Sequence, residues 1–257
     1  TPNFSIDIAK QPIPLRTPFH AIVDGTNGDT WLERVEARVI ETLIVARGAV
    51  VRTEDEKGRR ISLDVTIDDG RIEDVLKLGV ESAKPLMTGR MRLKTTFLLP
   101  AGDRDVIDKL ELAGHFSLDE ARFSNVNVQH KINALSRRGK GDDTSDDGPS
   151  VVSRLSGTFS LRMGTLTFTD LSFGVPGAVV QIAGTYGLKS ESLDFRGNLL
   201  LDATLAETTS GWKAVLGRLA QPLFRRPGGG SKQPIRISGP REKPEFGLDV
   251  RRALGPG

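Results

Sequence analysis

The sequence predicts a mainly β protein, an elongated antiparallel sheet with a few short amphipathic helices, whose one-sided apolar strands either pack as a sandwich core or curl into an apolar-lined trough. Three observations carry this. Apolar and polar residues alternate over several long runs, which gives each strand one apolar and one polar face. A short phrase recurs as Gly114-His115-Phe116-Ser117-Leu118, Gly157-Thr158-Phe159-Ser160-Leu161 and Gly184-Thr185-Tyr186-Gly187-Leu188. Its aromatic and leucine stand two residues apart, on one side of a strand. Helical periodicity is confined to a few pieces, too few to cover a long one-faced sheet.

The elements follow in chain order. Ile61, Leu63, Val65 and Ile67 alternate with Ser62, Asp64, Thr66 and Asp68, and Asp69-Gly70 is read as the turn that ends this strand. Ile72, Val75, Leu76 and Leu78 then mark a short helix over 71–78. Met91, Leu93, Thr95, Phe97 and Leu99 make a second strand, stopped by Pro100. A helix over 103–110 has Asp103 as its cap, and another over 124–138 carries Val128, Ile132 and Leu135 on one line with Arg137-Arg138 in its last turn. Leu155, Phe159, Leu161 and Met163 form a third strand that turns at Gly164 into Leu166 and Phe168. The longest run puts Leu193, Phe195, Leu199, Leu201, Ala203 and Leu205 on one face, a reach of roughly 40 Å. A last amphipathic helix is expected over 211–224. The glycines of the repeated phrase are expected where strands begin or kink.

These signals divide the chain into a repeated β region with short helices (1–138), a flexible linker (139–149) and a second β region (150–257) that continues the same sheet. Residues 139–149 hold no apolar side chain.

Composition narrows the function. The 257 residues carry a net charge of +3 with both signs interspersed, and one Tyr and two Trp leave no basic, aromatic-lined stripe for nucleic acid. There is no cysteine, hence no disulfide, thiolate metal site or cysteine nucleophile. No run of 18 apolar residues occurs, and the chain opens at Thr1 as though cut from a longer protein whose anchor lies upstream. His20, His115 and His130 have no metal-ligand spacing. Asp142, Asp143, Asp146 and Asp147 lack the glycine and closing glutamate of a calcium loop. Asp24-Gly25-Thr26 matches the triplet of aspartic proteases, but Asn27-Gly28-Asp29 makes it a turn between strands. Gly228–Lys232 lacks the spacing of a phosphate loop. The reading is of a protein that is not an enzyme and needs no cofactor or metal.

The second half resembles the C-terminal region of the AsmA family of bacterial envelope proteins. The matching residues are Phe173-Gly174-Val175-Pro176-Gly177-Ala178 leading into Gly184–Leu188, then Leu193-Asp194-Phe195-Arg196-Gly197, Thr208–Lys213, Pro222–Arg226, Pro234–Gly239 and Pro244–Asp249. Ile22–Thr30 looks like the repeated β region that precedes it. The resemblance implies the trough and not the sandwich, in a periplasmic part of an inner-membrane-anchored protein that shelters phospholipid acyl chains, for intermembrane lipid transfer or outer-membrane maintenance. The groove residues expected are Leu155, Phe159, Leu161, Leu166, Phe168, Leu193, Phe195, Leu199 and Leu201. Arg218, Arg225 and Arg226 are expected to contact anionic headgroups or a membrane surface. The competing reading is a non-enzymatic β scaffold that docks to envelope assembly machinery through its sheet edges.

Overall fold

The computed structural model describes residues 14–54, 56–79, 84–124, 130, 132–133, 136, 152–201 and 231–248. Its strands are β1 (Leu15–Arg16), β2 (Phe19–Val23), β3 (Thr30–Val39), β4 (Thr42–Arg52), β5 (Arg59–Arg71), β6 (Met87–Leu99) and β7 (Glu111–Phe123). They continue with β8 (Ser153–Arg162), β9 (Thr165–Val175), β10 (Ala178–Gly187), β11 (Ser192–Leu201), β12 (Ser231–Pro240) and β13 (Glu245–Leu248). Among the described residues, helices α1 (Ile72–Gly79) and α2 (Val106–Lys109) lie between them, and His130, Ile132, Asn133 and Ser136 are helical as well.

All thirteen strands form one sheet. From β3 to β13 each strand pairs antiparallel with the next in sequence, and β1 and β2 lie end to end along β3. Alternation favours this meander, because strands with one apolar face can share a half-solvated sheet. Among the described residues the sheet is open, ending in β1 and β2 on one side and β13 on the other. Strands β7 and β8 pair directly, so the two halves of the chain share one sheet. Twelve strands abreast at ~4.8 Å spacing make it about 50 Å wide.

Four strands carry an extra residue. The register slips at Glu33-Arg34 in β3, Asp68-Asp69 in β5, Asp119-Glu120 in β7 and Thr169-Asp170 in β9. Each bulge lengthens the polar side of its strand against its neighbours, and so bends that strand toward the apolar side. Arginines on adjacent strands hold two of them on the outside: Arg90 reaches Asp69 at 3.1 Å and Arg92 reaches Asp119 at 3.2 Å.

Asp69-Gly70 therefore completes a bulge inside β5 and is not its end, since Gly70 is back in register with Met91. A Cβ on Gly70 would lie 2.5 Å from Ile67 Cγ2 and 2.7 Å from Thr42 Cγ2, so only hydrogen fits. Helix α1 follows at once. Its Ile72, Val75 and Leu76 rest on Met91, Leu118 and Ala121, while Asp74, 2 % exposed, accepts from Thr42 Oγ1 at 2.9 Å and the Glu41 amide at 3.2 Å. The second predicted helix shrinks to α2, whose N-cap is Asp105 and not Asp103. The turn at Gly164 is as expected, with Met163 (φ 47°) and Gly164 (φ 68°) both left-handed, the conformation of a tight two-residue hairpin. The long run from Leu193 is strand through Leu201. Ala203, Leu205, the linker 139–149 and the expected helix 211–224 lie outside the described residues, as does most of 124–138.

Candidate functional site

The register builds the site strand by strand. Starting from Phe19 in β2, directly paired residues run Val35, Ala46, Val65, Thr95, Gly114, Phe159, Phe168, Gly184, Phe195, Ile237 and Phe246. Not one of the twelve is charged. A parallel row crosses eleven strands from Ala21 to Gly239 through Leu32, Leu63, Phe97, Leu161 and Leu193. A third runs from Ile67 to Leu248 through Leu93, Phe116, Leu171 and Ile235. One face of the sheet is thus apolar across its whole width.

All nine predicted groove residues lie on this face, and pairing places them side by side. Phe159 meets Phe168, Leu161 meets Leu166 and Leu155 meets Phe173; Phe195 meets Gly184 and Leu199 meets Val180. Most of the face is half-buried, Phe159, Leu166, Phe168 and Leu199 among them, whereas Phe195 and Leu161 are 6 % and 4 % exposed.

The repeated glycines sit inside strands, not at their starts, and their role is to receive a ring. Gly114 of β7 pairs with Phe159 of β8, while Phe116 of β7 pairs with Gly157 of β8, so two copies of the phrase interlock antiparallel. Gly184 of β10 lies between Phe168 and Phe195. Those two rings, two strands apart, close to 5.8 Å across it, and Phe116 lies 6.3 Å from Phe168 in the same way. Backbones two strands apart in a flat sheet are ~9.6 Å apart. The rings lean together over the glycine, which draws the face inward. Neighbouring backbone fills the space behind: a Cβ on Gly157 would lie 2.6 Å from the Asp170 carbonyl oxygen, and one on Gly184 would collide with that of Asp194.

Cover is uneven. At one end of the strands α1 caps the rows over Met91 and Leu118, and Ile132 packs on Val175, Ala178, Leu199 and Leu201. Toward the opposite end Leu63, Phe97, Leu112, Leu166 and Tyr186 are half-buried and Leu161 between them is buried, with no second sheet above them among the described residues. Tyr186 stands at this margin, where burial pushes its hydroxyl above the usual range beside the Arg241–Glu191 pair.

The opposite face is mostly polar from β5 onward, except where Val179 and Leu200 pair on it, 2 % and 4 % exposed. Asp64, Arg92, Lys94, His115, Thr158 and Arg196 stand on it, and Arg236 bridges to Asp194 at 3.1 Å. Such exposed pairs contribute at most about 1 kcal/mol each. His20 pairs with Glu33 at 2.5 Å on the surface. Asp24 belongs to the β2–β3 loop; its Oδ1 accepts from Thr26 Oγ1 at 2.6 Å and from the Thr26 amide at 2.8 Å, and these bonds hold its carboxyl below the ordinary range. Among the described residues no three His, Cys, Asp or Glu converge as metal ligands, and no helix is long and apolar enough to cross a membrane. A recess of about 570 Å³ at the sheet edge, against Pro14, Pro18, Arg38 and Ile40, lies apart from the rows. Arg218, Arg225 and Arg226 lie outside the described residues, as do Asp142, Asp143, Asp146 and Asp147.

Strand alternation missed Leu171 and Phe173, which share the face of Phe168 only because Thr169-Asp170 is a bulge that switches parity. The switch is visible in sequence only as a polar pair between two alternating runs. Comparison with family models, with curated proteins and with solved structures finds no match for this chain.

Proposed function

We propose that the apolar face is the working surface, and that it shelters phospholipid acyl chains in the periplasm for intermembrane lipid transfer or outer-membrane maintenance. The observation that carries this is the unbroken set of uncharged rows, half-buried for most of their length and crossing the strands from edge to edge. Acyl chains need apolar walls and no placed polar group, and each methylene buried contributes about 0.8 kcal/mol. The rows run across the strands, so a chain lying along them passes from strand to strand over like surface. Helix α1 and Ile132 cover the rows at one end of the strands, which leaves the opposite margin for headgroups to remain in water. The resemblance to AsmA proteins supports the same reading and an anchorage at the inner membrane, with phospholipid and the two membrane surfaces as partners.

A second reading, a non-enzymatic scaffold that docks to envelope assembly machinery, draws on the open edges at β2 and β13. It leaves the apolar rows without a role. A phospholipid with a photoactivatable acyl chain separates the two. Label mapped to Phe159, Leu166 or Phe168 supports shelter; label absent, or spread equally over Thr158 and Thr167 on the outer face, overturns it.

A further inference from the structure

The two open edges are complementary to each other. Strand β2 (Phe-His-Ala-Ile-Val) has no proline, no lysine and no carboxylate, the devices that normally blunt an edge strand. Its Phe19, Ile22 and Val23 are 67 %, 54 % and 61 % exposed, and Trp31 beside Ile22 is 45 % exposed. At the far edge, Phe246 of β13 is 56 % exposed. Phe19 and Phe246 begin and end the same row of the apolar face.

Strand polarity fits as well. Ten antiparallel steps separate β3 from β13, so these two run in the same direction, and β2 runs opposite to β3. A second copy shifted sideways without turning over therefore offers its β2 antiparallel to β13, with both apolar faces on one side. Residues 19–22 against 245–248 place Phe19 opposite Leu248 and Ala21 opposite Phe246. That repeats the small-against-aromatic pairing of Gly184 with Phe195 and Gly114 with Phe159.

We propose that β13 of one molecule adds to β2 of another, joining copies head to tail so that the apolar face continues from one to the next. The partner is a second copy of this chain. The inference rests on the sheet edges and not on what the face holds. A contact between unlike patches leaves a free edge at each end of a pair, so copies displaced sideways without turning make open chains and not closed dimers. Four paired residues a side is far below the ~20–30 of a stable interface, so the association is transient and rises with concentration.

The absence of cysteine makes the test direct. In this register His20 faces Gly247 on the outer side. His20 is exposed, and a side chain at Gly247 meets nothing within 4 Å, so H20C and G247C are compatible with the fold. Under mild oxidation, an equimolar mixture of the two single variants is expected to give a disulfide-linked dimer. The double variant is expected to give a ladder of dimers, trimers and longer chains on a non-reducing gel. Either single variant alone stays monomeric. No dimer in the mixture above the level of each variant alone overturns the proposal, and so does equal self-dimerisation of H20C, which would mean β2 pairs with β2. Sedimentation of the unmodified chain provides an independent reading: a coefficient that climbs with concentration past the dimer supports the proposal, and a constant monomer value overturns it.

Discussion

Replacing Phe168 by arginine tests whether the apolar face binds acyl chains. Phe168 is half-buried at the centre of the longest row, its ring 5.8 Å from Phe195, 6.3 Å from Phe116 and 6.5 Å from Phe159. About four methylenes of an extended acyl chain span one ~4.8 Å strand spacing. At about 0.8 kcal/mol each they contribute about 3 kcal/mol against one strand, and 1.4 kcal/mol is tenfold in affinity. F168R is therefore expected to weaken a fluorescent-acyl phospholipid about a hundredfold in a detergent-free titration. Loss of three ring contacts costs the fold about 2–3 kcal/mol, a fall of several degrees in melting temperature that leaves the sheet intact. The control is T167R, the preceding residue, which belongs to the outer face with Ser160 and Thr185. It is expected to leave binding within twofold. Unchanged binding in F168R, or an equal loss in both variants, refutes the reasoning.

Three further outcomes follow from the geometry. G184V is expected to cost about 2–4 kcal/mol in urea unfolding, because its side chain meets the Asp194 carbonyl and the Phe195 Cα at 2.6 Å, whereas G247A should be near neutral. D74A removes the carboxylate that accepts from the Thr42 hydroxyl and the Glu41 amide; it should cost about 1–3 kcal/mol and raise proteolysis within α1 before the rest of the sheet. The carboxyl of Asp24 should titrate below the ordinary aspartate value of ~3.9 in a carbon-detected pH series. Because its folded pKa is depressed, what it adds to loop stability is fully present above that value and is lost as pH falls through the folded midpoint. Amide exchange at Thr26 should therefore depart from its intrinsic pH dependence only at the acid end, and T26A should bring the midpoint back to normal.

Legibility in the sequence followed how cleanly a strand is one-sided. Strands β6 and β8 alternate without a break and end in Pro100 and at Gly164, so their faces could be read directly. The nine expected groove residues share one face for that reason. Strand β4 (Thr42–Arg52) was not legible: Leu43, Val45 and Val51 make its outer side apolar too, and two-sided strands have no period-2 signal. The bulges were hidden because they are properties of pairing. Asp68-Asp69-Gly70 has the composition of a turn, and only its neighbours, β6 pairing on past Ile67 and Thr42 of β4 beside Gly70, make it a kink within the strand. The repeated glycine phrase was visible, but its purpose was not, since the ring that fills the space beside each glycine comes from another strand. Curvature of the sheet thus resides in residues that local pattern treats as punctuation.

Native mass spectrometry of the full chain, purified without detergent from cells, tests the central claim most directly. The account predicts charge-state series carrying added masses of intact phospholipid, lost in F168R and retained in T167R. A bare chain mass, with the Phe159–Phe168–Phe195 face unoccupied, would contradict it.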